Sequence, residues 1–187
     1  MQFENNLGSH STTVSEGPSN RAFLLLGSNI DPETNLPATV RELQRFGRIA
    51  AVSQVWETEP VGFADQPNFL NAALILETPL SASELQLEVI VEVERVLGRI
   101  RDPHNKNAPR TIDVDLALFN RDVLELEQRQ IPDPDILNRA FVAIPLAELS
   151  PEYIHPLENR TLAEIAAKFE NERPSMQLRA DVILLLR

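Results

Sequence analysis

The 187-residue chain contains no cysteine, which excludes disulfide bonds, thiolate catalysis and sulfur-ligated metal sites. Long apolar runs are also missing, because the longest, such as 182–186, is far shorter than the roughly 20 residues of a membrane-spanning helix. Residues 1–20 contain no Lys or Arg and no apolar centre, so they match neither a secretory signal nor an Arg-rich transit peptide. We therefore expect a cytoplasmic protein that does not enter a membrane.

Positive charge is scarce: 17 basic residues stand against 28 acidic ones, a net charge of −11. A nucleic-acid-binding protein needs a broad basic face, so we expect small-molecule partners and no nucleic acid. The apolar and charged fractions, 43% and 24%, are typical of one globular domain of this length. We assign residues 21–187 to that domain and expect the polar residues 1–20 to form a flexible extension.

The pattern of apolar residues predicts strands alternating with helices. The strands are expected over 22–26, 49–58, 69–78 and 111–119, and the helices over 32–46, 81–97, 141–149 and from Thr161 onward. Capping boxes, Ser81 with Glu84 and Thr161 with Glu164, mark two of the helix starts. The alternation lacks the steady rhythm of a doubly wound parallel sheet, which favours an α+β domain, a mostly antiparallel sheet covered by helices. The apolar C-terminus fits more than one type of element.

Two acidic residues interrupt the last predicted strand. Because successive side chains of a strand alternate, Asp113 and Asp115 share one face and Ile112, Val114, Leu116 and Leu118 the other. The two Cα atoms would lie roughly 6.6 Å apart, close enough for the carboxylates to share a hard cation such as Mg²⁺. An isolated pair of this kind is more often the solvated face of an edge strand.

The residues just before this pair are unusually basic. Between positions 95 and 110 a single acid, Asp102, faces Arg95, Arg99, Arg101, Lys106 and Arg110. Arginine binds phosphate oxygens in a bidentate fork, and arginines beside a carboxylate pair are typical of phosphoryl transfer. The alternative is a charged loop that only keeps the domain soluble. Gly27-Ser28-Asn29 lacks a following Gly-Lys, so we interpret it as a turn and not a phosphate-binding loop.

Asn71 is the one amide in an otherwise apolar strand segment, 69–73. A buried amide needs hydrogen-bond partners, and it can pair with the donor and acceptor edge of a heterocycle on which Phe69 packs. Taken alone, an Asn that binds the backbone of a neighbouring loop is the commoner case.

Several segments in matching order and spacing resemble the hydroxymethyldihydropterin pyrophosphokinase family. They are Gly27-Ser28-Asn29, Glu57-Thr58-Glu59-Pro60-Val61-Gly62, residues 65–72, Leu97-Gly98-Arg99-Ile100-Arg101, Pro109-Arg110-Thr111-Ile112-Asp113-Val114-Asp115, Ile131-Pro132-Asp133-Pro134, 138–142 and Pro145-Leu146. The resemblance covers roughly residues 22–156. It implies a ferredoxin-like fold and the transfer of pyrophosphate from ATP to the hydroxymethyl group of 6-hydroxymethyl-7,8-dihydropterin, with release of AMP.

The resemblance also implies the roles of individual residues. Asp113 and Asp115 would hold two Mg²⁺ ions, and Arg99 and Arg110 would be the transition-state arginines. The implied nucleotide-binding residues are Glu94, Arg101, Arg110, Leu116 and Arg139, and the implied pterin-binding residues are Thr58, Val61, Phe69, Asn71 and Phe141. We expect ATP and the reduced pterin as the small-molecule partners of a monomer.

The chain departs from the family pattern at three places. Asn107-Ala108 replaces a usual Trp-Gly, Asp133 replaces a usual His, and one loop is a residue longer. An acidic acceptor in place of a donor beside ATP phosphates predicts weaker nucleotide binding. The alternative to a working enzyme is therefore a catalytically weakened relative that binds pterin or nucleotide in a regulatory role.

Overall fold

The computed structural model describes residues 19–62, 65–100, 105, 108–127 and 129–184. The predicted extension lies outside these ranges except for residues 19 and 20, and Arg101, Asp102, Lys106 and Asn107 lie outside them as well. The strands are β1 (Asn20–Ser28), β2 (Arg48–Val52), β3 (Trp56–Thr58), β4 (Phe69–Thr78), β5 (Asp113–Phe119), β6 (Leu124–Leu126), β7 (Arg129–Ile131) and β8 (Gln177–Leu178). The helices are α1 (Pro32–Leu43), α2 (Ala82–Glu84), α3 (Ile90–Val96), α4 (Ala140–Leu149) and α5 (Leu162–Ala166).

Six of the strands form one antiparallel sheet in the order β5-β1-β4-β3-β8, and β2 pairs with β4 beside β3. The chain leaves β1, passes through α1 and returns on the far side of β4, and it leaves β4 and returns as β5 on the far side of β1. Two such interleaved units make the ferredoxin-like arrangement. The predicted α+β class, with a helix-covered antiparallel sheet, is confirmed.

Alternating side chains of the central strands supply two hydrophobic cores, one on each face of the sheet. On one face Leu24 and Leu74 pack beneath α1 and α3. On the other face Phe23 and Ile75 pack beneath α4 and α5. At one end of this second face, beside α4, polar residues of the sheet line a pocket.

Both predicted capping boxes are present. Ser81 and Glu84 exchange hydrogen bonds at the start of α2, and Thr161 and Glu164 do so at α5. The helix that starts at Ala82 contains one π-helical turn, Leu85–Val89, before it continues as α3. None of the helices in the described ranges is long and apolar enough to cross a membrane.

Three local features differ from the prediction. Residues 49–58 form two strands, because the hydroxyl of Ser53 accepts the Ala73 N–H at 2.8 Å where a strand carbonyl would otherwise do so. The register between β1 and β5 shifts between Phe23 and Leu24, so Leu118 packs on the opposite face from Leu116 and its predicted orientation is wrong. The hairpin of β6 and β7 and the C-terminal strand β8 were not predicted.

Gly47 stands where the chain turns from α1 into β2, and we expect Gly47→Ala to destabilise the fold. An added Cβ would lie 2.2 Å from the carbonyl oxygen of Glu77, so the backbone must move. Such overpacking costs about 2 kcal/mol, or roughly 5 °C in melting temperature. The matched control is Gly27→Ala, whose Cβ meets nothing closer than 3.4 Å. Equal melting temperatures for the two variants would contradict the expectation.

Candidate active site

The register of the central strands places an amide and a carboxylate on either side of a glycine. Gly27 on β1 pairs with Asn71 on β4 and with Asp113 on β5. Two residues away, Leu25 pairs in the same way with Asp115 on β5. Since residues two apart share a face, both aspartates and Asn71 lie on the face of the sheet that α4 partly covers. Gly27 leaves the space between Asn71 and Asp113 free of a side chain.

These residues line one pocket at the open end of that face. Nine of the thirteen site residues named from the sequence line it: Thr58, Val61, Phe69, Asn71, Arg110, Asp113, Asp115, Arg139 and Phe141. Glu59, Asp133 and Asp135 also line the pocket, which gives it five carboxylates. Of the other four named residues, Arg101 lies outside the described ranges and Arg99, Glu94 and Leu116 lie behind the pocket wall.

Asp113 is held between two arginines. Its Oδ1 lies 2.5 Å from Nη1 of Arg99, and its Oδ2 accepts a hydrogen bond from Nη1 of Arg110. Burial pushes the pKa of Asp113 upward, but the two guanidinium groups outweigh burial and hold the pKa below its ordinary value. Because the side chains of Arg99 and Arg110 are only 10% and 14% exposed, this carboxylate is fixed and ionised.

The carboxylate of Asp115 has fewer stabilising partners than that of Asp113. Its Oδ1 lies 2.6 Å from Nη1 of Arg129 on β7, but the atom is buried and accepts no hydrogen bond. Burial, together with repulsion from Asp113, raises the pKa of Asp115 to about 7, against the opposing charge of Arg129. Without a bound cation, the protein therefore supplies too little positive charge to balance both aspartates.

The chemistry of this pair fits a divalent cation. A cation near Asp115 would offset the repulsion from Asp113 and give the buried Oδ1 a partner. Across the residues that the structure describes, no three or more His, Asp or Glu side chains are arranged as a group that could hold a metal ion by itself. Mg²⁺ needs no such group, because it keeps several waters and binds through one or two carboxylates together with substrate phosphates.

Glu94 and Leu116 support the strand that carries the aspartates. Oε1 of Glu94 accepts the Val114 N–H at 3.1 Å and lies 3.5 Å from Nη1 of Arg99. Leu116 is buried in the core beneath the helices. Their contact with a nucleotide stays a prediction. Arg95, part of the basic stretch, pairs with Glu92 on the exposed surface of α3.

The other half of the pocket is built from apolar groups around Asn71. The Asn71 amide donates from Nδ2 to Oγ1 of Thr58 at 2.8 Å, which fixes the orientation of its carbonyl oxygen. The Phe69 ring lies under the Arg110 guanidinium, with 5.7 Å from Cζ to the ring centroid. Phe141, in the first turn of α4, and Val61, which is exposed, complete this half. The pocket thus joins an apolar part with an oriented amide to a strongly charged end.

Gly27-Ser28-Asn29 has a structural role that sequence analysis missed. Oδ1 of Asn29 accepts the Arg110 N–H at 2.8 Å, and its Nδ2 donates to the carbonyl oxygen of Pro67 at 3.2 Å. Ser28 donates from its hydroxyl to the carbonyl oxygen of Thr111 at 2.6 Å. One short segment thereby ties the rim that leads into β4 to the rim that carries Arg110.

Asp133 and Arg139 lie at the α4 side of the pocket. Asp133 begins a 3-10 turn, Pro134–Leu137, and its Oδ1 accepts the Asp135 N–H at 2.8 Å. Burial raises the pKa of Asp133. Nε of Arg139 lies 3.7 Å from Oδ1 of Asp135. This side therefore adds one cation and two acids to the charged end.

Comparisons with known proteins agree with this geometry. The family model for 7,8-dihydro-6-hydroxymethylpterin-pyrophosphokinase (HPPK) matches residues 23–151. The chain is 44% identical over 133 residues to the Bacillus subtilis 2-amino-4-hydroxy-6-hydroxymethyldihydropteridine pyrophosphokinase, covering 70% of this chain and 78% of the relative. It is 36% identical over 150 residues to the Pseudomonas aeruginosa protein of the same name, covering 79% and 90%.

Solved structures show the same fold. Plasmodium falciparum HPPK-DHPS, crystallised with pterin and p-hydroxybenzoate, superposes with a TM-score of 0.65 at 18% identity. The match covers 86% of this chain but 45% of the solved chain, so this chain spans about half the length of that protein.

Proposed function

The chain belongs to the 7,8-dihydro-6-hydroxymethylpterin-pyrophosphokinase family, and from this premise we propose how its pocket divides the work of an ATP-dependent pyrophosphokinase. The acceptor is the hydroxymethyl oxygen of 6-hydroxymethyl-7,8-dihydropterin, the donor is ATP, and the products are the pterin diphosphate and AMP. The observation that carries the proposal is the row of Asn71, Gly27 and Asp113 across three strands. Asn71, an amide that can pair with a heterocycle, and Asp113, a carboxylate that can bind a cation, thus lie on the two strands that flank Gly27.

Asp113 and Asp115 are proposed to hold two Mg²⁺ ions, together with water and phosphate oxygens. When bound, these ions neutralise charge on the transferred group and lower the barrier to attack by the acceptor hydroxyl. The protein contributes a fixed, ionised carboxylate at Asp113. At Asp115 it contributes a carboxylate whose negative charge is not balanced by the neighbouring cations.

The pterin is proposed to occupy the slot between Phe69 and Phe141, where its ring stacks and its polar edge meets Asn71. Thr58 holds the amide at the angle that leaves its carbonyl oxygen for a ring donor. Gly27 lines the pocket between Asn71 and Asp113 and has no side chain, so the ring can approach the strand closely there.

Arginines of the charged end are proposed to hold the polyphosphate. Arg110 and Arg139 line the pocket directly, and Arg99 lies behind Asp113. Arg101 is proposed to add a phosphate contact, and Glu94 and Leu116 to border the nucleotide. We further propose that residues 21–187 act as one domain, since both cores share the same sheet, and that the protein is a monomer.

A second candidate function is a weakened relative that binds the ligands without turnover, and the acid at position 133 favours it. The two are separated by incubating purified protein with ATP, Mg²⁺ and the reduced pterin and measuring AMP. We expect AMP formation that depends on all three. Ligand binding in calorimetry without AMP would support the weakened relative instead.

Asn71→Ala tests the pterin half of the pocket. We expect the dissociation constant for the pterin to rise about tenfold or more, since the ring loses a hydrogen bond whose partner group stays buried. Binding of an ATP analogue with Mg²⁺ should remain unchanged, which serves as the internal control. Titration calorimetry measures both, and an equal loss of the two affinities would show a general distortion of the pocket.

A further inference from the structure

Arg129, on the small hairpin outside the main sheet, covers one of the proposed metal ligands. Its Nη1 lies 2.6 Å from Oδ1 of Asp115, an atom that is buried. A cation that binds Asp115 through Oδ1 therefore meets a guanidinium group already in place.

The two aspartates differ in how firmly arginine is attached to them. Asp113 is held by Arg99 and Arg110, which are nearly buried. Arg129 is 43% exposed and approaches Asp115 without hydrogen-bond geometry. Partly exposed ion pairs of this kind contribute little to stability, so Arg129 can leave Asp115 readily.

Arg129 also affects Asp133, the acid that is expected to weaken nucleotide binding. Its positive charge opposes the rise in the pKa of Asp133, as it does for Asp115. With five acids lining the pocket, an incoming polyphosphate needs every neighbouring cation. Arg129 is a long, partly solvated arginine at this edge, and a guanidinium group binds phosphate oxygens well.

We propose that Arg129 is a displaceable cation: it occupies Asp115 in the ligand-free protein, yields that place to a divalent ion and then binds the nucleotide phosphates. This inference rests on the proposed function, because it takes Asp115 as a metal ligand. It predicts opposite effects of Arg129 on the metal alone and on the nucleotide complex. A residue that only blocks the metal, or one that only stabilises the fold, produces no such pair of effects.

The test compares Arg129→Gln with the wild-type protein in two titrations. For Mn²⁺ alone, followed by electron paramagnetic resonance, the variant should bind about threefold more tightly, because a competing surface cation is gone. For α,β-methylene ATP with Mg²⁺, followed by calorimetry, it should bind about tenfold more weakly, because a charge-assisted hydrogen bond is lost. Arg129→Lys keeps the charge but not the fork, and both affinities should fall between those of the other two proteins.

Arg121→Gln is the matched control, since it removes the same charge from the turn beyond β5, and both of its affinities should equal those of the wild type. Unchanged Mn²⁺ affinity in Arg129→Gln would overturn the displacement, and unchanged or tighter nucleotide binding would overturn the phosphate contact. Failure of the proposed function itself shows elsewhere, as wild-type protein that forms no AMP. The Mn²⁺ comparison does not depend on that assay.

Discussion

Asp115→Asn is expected to lower the rate of pyrophosphoryl transfer about a thousandfold, or ~4 kcal/mol in activation free energy. The amide keeps the size of the side chain but removes the negative charge that is proposed to bind Mg²⁺. The same change should leave the melting temperature of the ligand-free protein unchanged or higher. Burial and Asp113 raise the pKa of Asp115 to about 7, so its ionised form costs free energy of folding that the neutral amide does not.

Release of AMP under saturating ATP measures the first effect, and calorimetric unfolding without ligands measures the second. Asp122→Asn is the control, because Asp122 is an exposed aspartate in the turn after β5. A variant at position 115 with normal turnover and a large loss of melting temperature would show that Asp115 is a structural residue. The two measurements separate a ligand-binding role from a structural one. Turnover falls while the melting temperature holds or rises only if the negative charge of Asp115 acts by binding the metal.

The sequence was sufficient to predict that the two aspartates share a face. Alternation along β5 placed Asp113 and Asp115 on the same side of the sheet, since a strand fixes the direction of every second side chain. It failed at Leu118, where one extra residue in β5 reverses the alternation. A bulge depends on the partner strand, and no local pattern in residues 111–119 reveals it.

The ion pairs of the site could not be predicted in the same way. Arg99 and Arg110 were identified as cations near the aspartates, but their attachment to Asp113 in the ligand-free protein depends on three-dimensional packing. No sequence pattern identified Arg129. The strands β6 and β7 are only three residues each, and the contact of Arg129 with Asp115 joins elements that are separate in sequence. Residues that hold loops, such as Asn29, were missed for the same reason: a side-chain hydrogen bond to a distant backbone leaves no periodic pattern.

Arg99→Ala is expected to lower both turnover and stability. In the ligand-free protein Arg99 pairs with Asp113, lies 3.5 Å from Glu94 and donates to the carbonyl oxygen of Ile112 at 2.5 Å. Removing one partner of a buried ion pair costs about 3–5 kcal/mol, because the remaining charges stay buried. Turnover should fall in addition, since the variant also lacks a cation that is proposed to stabilise the transition state. Pterin affinity should change little, because Arg99 does not line the slot.

A second substitution separates these two losses. Glu94→Gln in the Arg99→Ala background removes the negative charge of one of the buried acids that have lost Arg99. It keeps an oxygen to accept the Val114 N–H, which Glu94 accepts at 3.1 Å. The double variant should therefore regain part of the lost melting temperature while AMP release stays low. If turnover returned along with stability, Arg99 would act only by holding β5 and Asp113 in place. A stable double variant that remains inactive, with pterin binding intact, assigns Arg99 to the chemical step, because its partner charge develops on the transferred group.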